Sequence, residues 1–356
     1  DYFYFKLYES AQQLKFASRT DTIPVLNPKA SSLTFYQKGA WALHVLREEI
    51  GVKAFSKAVK MYLKKHAFHC VTTLDFFREI KKTSNFDLDK FSKVWLETSE
   101  FNSMQANSLL SKNKSIQVLI EIEKLKNKPL STKKDFFAEI LQSEAYFPLK
   151  VAIINQLQNE KFDDKKMLLN LALKTNNLQV RQAVAATVRV IPEEFRIQYE
   201  SLLNDKSYQT QELALYNLWN NFPNSRFTYL DNAKDWTGFN DYNLRTLWLS
   251  LALSTPNYQI DKELLINELT SYSSTKYEAN IRQDALEKLI AFKIINNEVL
   301  HNLVNATTHH MWQFSKFGRD TIRKLLKTNS MRSSFEEVIP HLNENEQFQL
   351  KRLLNE

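Results

Sequence analysis

Glycine is scarce in this sequence, and its scarcity excludes the commonest phosphate-binding loops. The 356 residues contain only four glycines, Gly39, Gly51, Gly238 and Gly318. A P-loop and a dinucleotide-binding fingerprint both need several glycines at short fixed intervals, because the backbone must approach the phosphates closely. No such spacing occurs here, so the sequence excludes both kinds of nucleotide site.

Cysteine and long hydrophobic runs are lacking as well. The single cysteine, Cys70, excludes a disulfide bond within the chain. No run of about eighteen or more apolar residues occurs, so no membrane-spanning helix is predicted. With 43% hydrophobic and 25% charged residues, the composition is typical of a soluble globular protein. It does not distinguish a cytoplasmic from an exported protein.

The chain is basic, with a formal net charge of +8. Such a balance can attract nucleic acid or other anionic surfaces. The lysines are spread along predicted helices rather than gathered with aromatic residues, which favours solvated helix faces. Nucleic-acid binding is therefore the weakest of three functional hypotheses, and no nucleic-acid partner is predicted.

Residues 1–104 have the pattern of a compact helical unit. Apolar residues follow Gly39 at helical spacing until Gly51, which is predicted to end that helix. A second helix places Phe55, Ala58, Val59, Tyr62, Leu63 and His66 on one face. Thr72 then begins a third helix as an N-cap with Asp75 in the first turn.

Residues 105–134 are predicted to be a lysine-rich connector containing a short strand. Ile116, Val118, Ile120 and Ile122 alternate with polar residues, which is typical of a half-buried strand. The lysines around this run are interpreted as solvated protection of a strand edge. They are Lys112, Lys114, Lys124, Lys126, Lys128, Lys133 and Lys134.

Residues 135–356 contain a repeating frame. In six segments an apolar or small residue is followed by a polar or basic residue, with apolar residues four and eight positions after the first. The segments are "LKVAIINQL" from Leu149, "VRQAVAATV" from Val180, "TQELALYNL" from Thr210, "LRTLWLSLA" from Leu244, "IRQDALEKL" from Ile281 and "GRDTIRKLL" from Gly318. Their starts lie 31, 30, 34, 37 and 37 residues apart, a period typical of α-solenoids. The segments resemble degenerate HEAT-type repeats, and the predicted fold class is all-α with at most one or two short strands in the connector.

The stretch that begins "YQKGAWALHVLREEIG" carries a resemblance to a known family. It is followed by a lysine-rich helix, a Thr-Thr-x-Asp-Phe turn and an Asp-Leu-x-x-Phe-x-x-x-Trp-Leu helix, and this order resembles zinc aminopeptidases of the aminopeptidase N and leukotriene hydrolase type. The resemblance is strong over about 65 residues and looser in the trailing repeats. The matching residues are Tyr36, Lys38, Gly39, Leu46, Arg47, Gly51, Phe55, Tyr62, Thr72, Thr73, Asp75, Phe76, Leu88, Phe91, Trp95 and Leu96.

The resemblance implies a catalytic role for Tyr36. In that family the tyrosine of the Tyr-x-Lys-Gly motif donates a hydrogen bond to the oxyanion of the tetrahedral intermediate. The chemistry is consistent, since attack on a peptide carbonyl by metal-activated water places negative charge on the oxygen. A phenol keeps its proton at neutral pH and can donate a hydrogen bond to that oxygen. The competing interpretation is a structural tyrosine at the start of a helix. Lys38 and Arg47 are interpreted as framework or surface charges, and Gly39 as a point of close helix approach, together with Ala40 and Ala42.

The family's zinc ligands are missing from this sequence. They lie in a His-Glu-x-x-His helix and on a following helix, and the sequence contains neither. The chain is therefore expected to be the C-terminal part of a larger enzyme, with no metal ligand or cofactor of its own and no activity in isolation. A weaker possibility is metal binding by His66 and His69 beside Cys70, although His66 completes an apolar helix face.

Two principal hypotheses follow. In the first, the parent protein is a zinc-dependent aminopeptidase acting on peptides, to which residues 1–104 contribute the C-terminal helical part of the catalytic domain and residues 135–356 a HEAT-like repeat domain. In the second, the chain is an α-solenoid scaffold that binds a protein without catalysis. The substrate side-chain preference and the oligomeric state are not specified by the sequence.

Overall fold

The fold is helical throughout. A computed structural model describes all 356 residues and contains no β-strand, so the predicted all-α class is confirmed. The chain divides into two compact units, residues 1–168 and residues 169–356. This division leaves the three-part organisation at 104 and 134 as a prediction.

The first unit contains nine complete helices, one broad π-helical turn before the second helix and another after the fifth. The π-helical turns are Leu33–Lys38 and Lys93–Glu97. The helices are α1 (Tyr2–Ala17), α2 (Gly39–Ile50), α3 (Val52–Lys65), α4 (Thr73–Lys81), α5 (Leu88–Ser92), α6 (Ser103–Leu110), α7 (Lys114–Lys124), α8 (Lys134–Gln142) and α9 (Phe147–Gln156).

The second unit begins within a helix and continues as a succession of helices. None of the helices in the chain is long and apolar enough to span a membrane. The remaining helices are α10 (Phe162–Lys174), α11 (Leu178–Thr187), α12 (Arg196–Glu200), α13 (Tyr208–Asn221), α14 (Arg226–Ala233), α15 (Asn243–Ser254), α16 (Lys262–Tyr272), α17 (Ala279–Ala291), α18 (Asn297–Ala306), α19 (Trp312–Leu325), α20 (Asn329–Val338) and α21 (Glu344–Leu354). Single 3₁₀ turns join some of them, at Leu130–Thr132, Glu193–Phe195, Ser201–Asn204, Pro223–Ser225 and Ile339–His341.

The predicted strand in the connector is wrong, because residues 114–124 form α7. Ile116, Leu119 and Ile122 are buried and follow one another at helical spacing. The Asn113 side chain accepts a hydrogen bond from the Ile116 amide and so caps the helix. Val118 and Ile120 are only partly buried, so the alternation in the sequence does not correspond to one buried face.

One of the connector lysines is also not solvated. Lys133 is almost completely buried, and its ammonium donates to the carbonyls of Leu125 and Lys126 and to the Gln156 side-chain oxygen at 3.0, 3.3 and 3.0 Å. Burial lowers the pKa of Lys133. The edge-protection interpretation therefore fails for this residue, which instead ties the end of α7 to α9.

The six repeat frames all lie on alternate helices, from α9 to α19. Within the second unit, each frame-bearing helix contacts the next one along the chain. At four of the six frames, the basic residue at the second position donates to a carbonyl at the end of the preceding helix. The pairs are Lys150 with Leu141 and Ser143, Arg181 with Leu173, Arg245 with Lys234, and Arg282 with Ser273. A cation there satisfies carbonyls that the helix itself leaves unpaired.

Candidate active-site segment

The Tyr-Gln-Lys-Gly motif lies at the entrance to α2. Residues Leu33–Lys38 form a π-helical turn that runs directly into Gly39, and wide turns of this kind are frequent at functional sites. At the other end of α2, Gly51 has φ +84°, a left-handed conformation that glycine adopts without steric cost. The predicted helix end at Gly51 is confirmed.

Tyr36 is exposed to solvent on this turn. Its residue exposure is 67%, and its ring meets Phe35 edge to face with the centroids 5.2 Å apart. The tyrosine hydroxyl has no hydrogen-bond partner within the chain. The phenol is therefore free to donate to an external group, as the predicted role requires, while that role itself stays a prediction.

Lys38, two residues later, has the opposite environment. It is buried to 1% exposure, and its ammonium donates to the carbonyl of Thr98 and, at 3.1 Å, to that of Ser99. Burial lowers the pKa of Lys38, and the charges of Asp21 and Glu100 partly oppose this. Lys38 thus belongs to the framework that fixes the turn, which is one of the two roles predicted for it.

Asp21 holds the other end of the turn. Its carboxylate accepts hydrogen bonds from the hydroxyls of Ser31 and Thr34 at 2.5 and 2.7 Å. These two bonds lower the pKa of Asp21. Asp21 lies outside the Tyr-x-Lys-Gly pattern, so the motif gives no sign of its role. Together, Asp21 and Lys38 fix the backbone on both sides of Tyr36.

The face of α2 that follows Tyr36 is open. A side-chain carbon placed on Gly39 would have no atom within 4 Å, and Ala40 is exposed. The predicted close helix approach is therefore wrong at Gly39 and Ala40. Ala42, on the opposite face, is buried. The open face also carries Leu43 at 47% exposure, so apolar surface extends from Tyr36 along the helix.

The opposite face of α2 forms part of the core. Trp41 is fully buried and donates its indole N–H to the Ser10 hydroxyl at 3.0 Å. His44 is buried between the rings of Phe3, Tyr4 and Trp41. Burial lowers the pKa of His44, so the imidazole is favoured in its neutral form. This packing anchors α2 to α1 and identifies His44 as a core residue.

The side chains of this chain do not fit a catalytic zinc ion. No three histidine, cysteine, aspartate or glutamate side chains converge where they could share a metal. His66 lies against the Tyr62 ring at 5.3 Å, and Cys70 is exposed. His309 and His310 stack on each other with centroids 4.2 Å apart. A zinc site needs three protein ligands or more, so no reaction step is assigned to a metal held by this chain.

The segment that contains Tyr36 also matches known proteins. Residues 20–95 match the family described as the peptidase family M1 domain. Aminopeptidase N of Streptomyces lividans is 33% identical over 108 residues, which cover 27% of this chain and 13% of that protein. These matches support an M1 aminopeptidase family.

The matches cover only a small part of this chain and a small part of each relative. Aminopeptidase N of Lactococcus lactis subsp. lactis is 32% identical over 72 residues, which cover 20% of this chain and 8% of that protein. The matched region of the chain thus corresponds to only about a tenth of the full length of these relatives. No solved structure matches the chain. The resemblance seen in the sequence is supported for the matched segment, residues 20–95.

Proposed function

We propose that this chain is part of a zinc-dependent aminopeptidase that removes N-terminal residues from peptides, and that Tyr36 stabilises the oxyanion. The observation that carries the proposal is an accessible phenol on a fixed turn within the segment that matches the M1 domain. In the proposed enzyme, the zinc and its ligands belong to a part of the protein that this sequence does not contain. The chain alone is proposed to be inactive.

The chemistry assigned to Tyr36 is that of an oxyanion donor. When a peptide carbonyl is attacked, its oxygen gains negative charge, and a donor already aimed at that position stabilises the transition state. The Tyr36 hydroxyl has no competing acceptor within the chain, so it need not break a bond in order to donate. Asp21 and Lys38 hold the turn in place, which limits the reorganisation needed at the moment of reaction.

The helices after the matched segment are proposed to enclose the active site. On this proposal, residues 1–104 are the C-terminal helical part of the catalytic domain, residues 105–134 a connector, and residues 135–356 a HEAT-like repeat domain. The position of all six frames on alternate helices supports the repeat assignment. The recurrent cation at the ends of the preceding helices supports it as well.

A chimaeric enzyme tests the role of Tyr36. Residues 20–95 would replace the matching segment of the Lactococcus lactis aminopeptidase N, and turnover of an aminoacyl chromogenic substrate would be measured. We expect Tyr36→Phe in the chimaera to lower kcat about 10²–10³-fold, with a much smaller change in KM. The zinc content should not change, since the substitution removes no metal ligand.

Tyr62→Phe is the matched control. It removes the same hydroxyl group from a partly buried tyrosine on α3 in the same segment, and we expect kcat to stay within about twofold. Equal activity of the Tyr36→Phe chimaera and its parent, at equal zinc content, would show that Tyr36 is not the oxyanion donor.

A further inference from the structure

One stretch of the first unit is strongly basic. Residues 52–93 contain ten lysine or arginine residues and four aspartate or glutamate residues, a net charge of +6 within a total of +8. This stretch covers α3, α4 and α5. The α3–α4 hairpin and the helix that follows are therefore one of two strongly basic stretches of the first unit; the other is residues 112–134, with seven lysines, two glutamates and a net charge of +5.

Four lysines form a stripe along α3. Lys53, Lys57, Lys60 and Lys64 are all exposed, and their spacing places them within an arc of about 60° on the helix. The stripe is about 17 Å long. None of the four makes an ion pair or a hydrogen bond through its side chain within the chain. The stripe is thus a row of uncompensated positive charges.

The acidic groups on the neighbouring helix α4 are already paired. Asp75 accepts from Arg78 at 2.7 Å. Glu79 is almost inaccessible and lies between Lys65 and Lys82, at 3.1 and 2.7 Å, and these partners lower its pKa. Neither carboxylate is available to the α3 stripe, so its charge is directed outward.

The turn that joins α3 to α4 exposes apolar side chains. Phe68 is fully exposed and has φ +63°, a left-handed conformation that is unfavourable for a bulky residue. Leu63 and Leu74, on either side of the turn, are 61% and 65% exposed. This arrangement is unfavourable in water, since each side chain leaves apolar area exposed to solvent.

We propose that α3, the turn at residues 66–72 and Leu74 in the first turn of α4, together called the α3–α4 surface, dock onto an anionic lipid bilayer. Lysines near a negatively charged leaflet attract its headgroups, and an exposed phenylalanine and leucines can enter the boundary between headgroups and acyl chains. A nucleic acid would use the lysines but would gain little from the exposed leucines. The proposal is independent of the peptidase assignment and does not involve Tyr36.

Vesicle sedimentation of the full chain tests the proposal. We expect binding to vesicles containing phosphatidylglycerol, little binding to pure phosphatidylcholine, and release at about 1 M salt, where charges are screened within about 3 Å. Lys57→Gln with Lys60→Gln should weaken partitioning about 25-fold, at about fivefold per lysine. Phe68→Asn should weaken it about tenfold, and asparagine tolerates the left-handed backbone.

The control is a second pair of exposed lysines in the same unit. Lys126→Gln with Lys128→Gln changes the net charge equally, and both side chains are exposed, so partitioning should fall less than about threefold. Equal losses for the two lysine pairs would overturn the proposal in favour of a general charge effect. Unchanged partitioning in Phe68→Asn, together with equally strong binding to polyglutamate or single-stranded RNA, would overturn it in favour of a soluble polyanion.

Discussion

At the scale of single residues, the candidate active-site segment combines two opposite environments within one turn. Tyr36 presents a free hydroxyl to solvent, whereas Lys38 places its ammonium under the carbonyls that follow the second π-helical turn. A buried ammonium is favourable only if it is hydrogen-bonded. The position of Tyr36 thus depends on a polar contact made by another residue of the same motif.

Replacing Lys38 by methionine should destabilise the protein without touching the tyrosine. Methionine fills a similar volume but leaves the carbonyls of Thr98 and Ser99 without their donor. Hydrogen bonds to a charged group contribute about 1.5–3 kcal/mol, so we expect the free energy of unfolding to fall by about 2 kcal/mol in urea titration. Tyr36→Phe serves as the control and should change it by less than about 0.5 kcal/mol.

The hydrogen bonds that the Asp21 carboxylate accepts from Ser31 and Thr34 make a pH-dependent contribution to stability. The folded-state pKa of Asp21 is lowered by Ser31 and Thr34, so the contribution is present above the unfolded-state pKa of about 3.9 and is lost as the pH falls through the folded-state value. Asp21→Asn should lower the free energy of unfolding by about 1 kcal/mol at pH 7. The difference between the variant and the wild type should shrink below about pH 4. A constant difference down to pH 3 would show that the charge on Asp21 makes no contribution.

The sequence did not indicate that Lys133 is buried, and it left open whether Lys38 is a framework or a surface charge. Lys38 and Lys133 are buried because carbonyls from elsewhere in the chain surround their ammonium groups. The sequence does not reveal where those carbonyls lie, and lysine is buried so seldom that its exposure is the natural expectation. The open space beside Gly39 was missed for the same reason, since the packing partner of a helix face is a tertiary property.

At the scale of helices, α7 shows how one apolar pattern fits two structures. Ile116 and Ile122 belong both to a two-residue and to a helical period, so the interpretation depended on Val118 and Leu119. The structure buries Leu119 to 6% exposure and leaves Val118 partly exposed. The asparagine cap at position 113, which begins the helix, was the signal in the sequence that favoured the helical alternative.

Two alanine substitutions distinguish the helix from a strand. In α7, Leu119→Ala should lower the free energy of unfolding by about 2–4 kcal/mol because it creates a cavity. Val118→Ala should cost less than about 1 kcal/mol. A strand with Val118 on its buried face would give the reverse order, and urea denaturation of both variants decides between them.

The cations at the ends of the helices should be worth more than surface charges. Arg282 is 3% exposed and donates to the Ser273 carbonyl at 3.1 Å and to the Asn305 side chain at 2.8 Å. Burial lowers the pKa of its guanidinium. We expect Arg282→Lys to lower the free energy of unfolding by about 2 kcal/mol, since an ammonium cannot reproduce the planar fork. Gln283→Lys, at a partly exposed neighbouring position, should be nearly neutral in the same denaturation experiment.

At the scale of the whole molecule, the sequence predicted the succession of helices better than their function. The repeat frame located six helices in advance, because each buries apolar residues at a fixed spacing, and four of them begin with a side chain that caps the helix before it. What the array encloses or binds is not encoded in that frame. The functional evidence lies instead in the matched segment, residues 20–95.

The chain of 356 residues should neither bind zinc stoichiometrically nor hydrolyse a peptide. The sequence contains no His-Glu-x-x-His, and no three ligand side chains converge in the structure, so the donor set for a catalytic zinc is missing. We expect well below one zinc per chain after gel filtration in zinc-containing buffer, and no turnover of an aminoacyl chromogenic substrate above the rate with a chelator. Any weak binding should be reduced in His69→Ala, because His66, His69 and Cys70 are the only three histidine or cysteine residues that lie within five consecutive positions of the sequence. One tightly bound zinc with chelator-sensitive turnover would mean that the chain assembles a metal site by a rearrangement of these helices. The peptidase would then be complete without any further ligand, and the proposed division of labour between Tyr36 and an absent zinc-bearing part would be wrong.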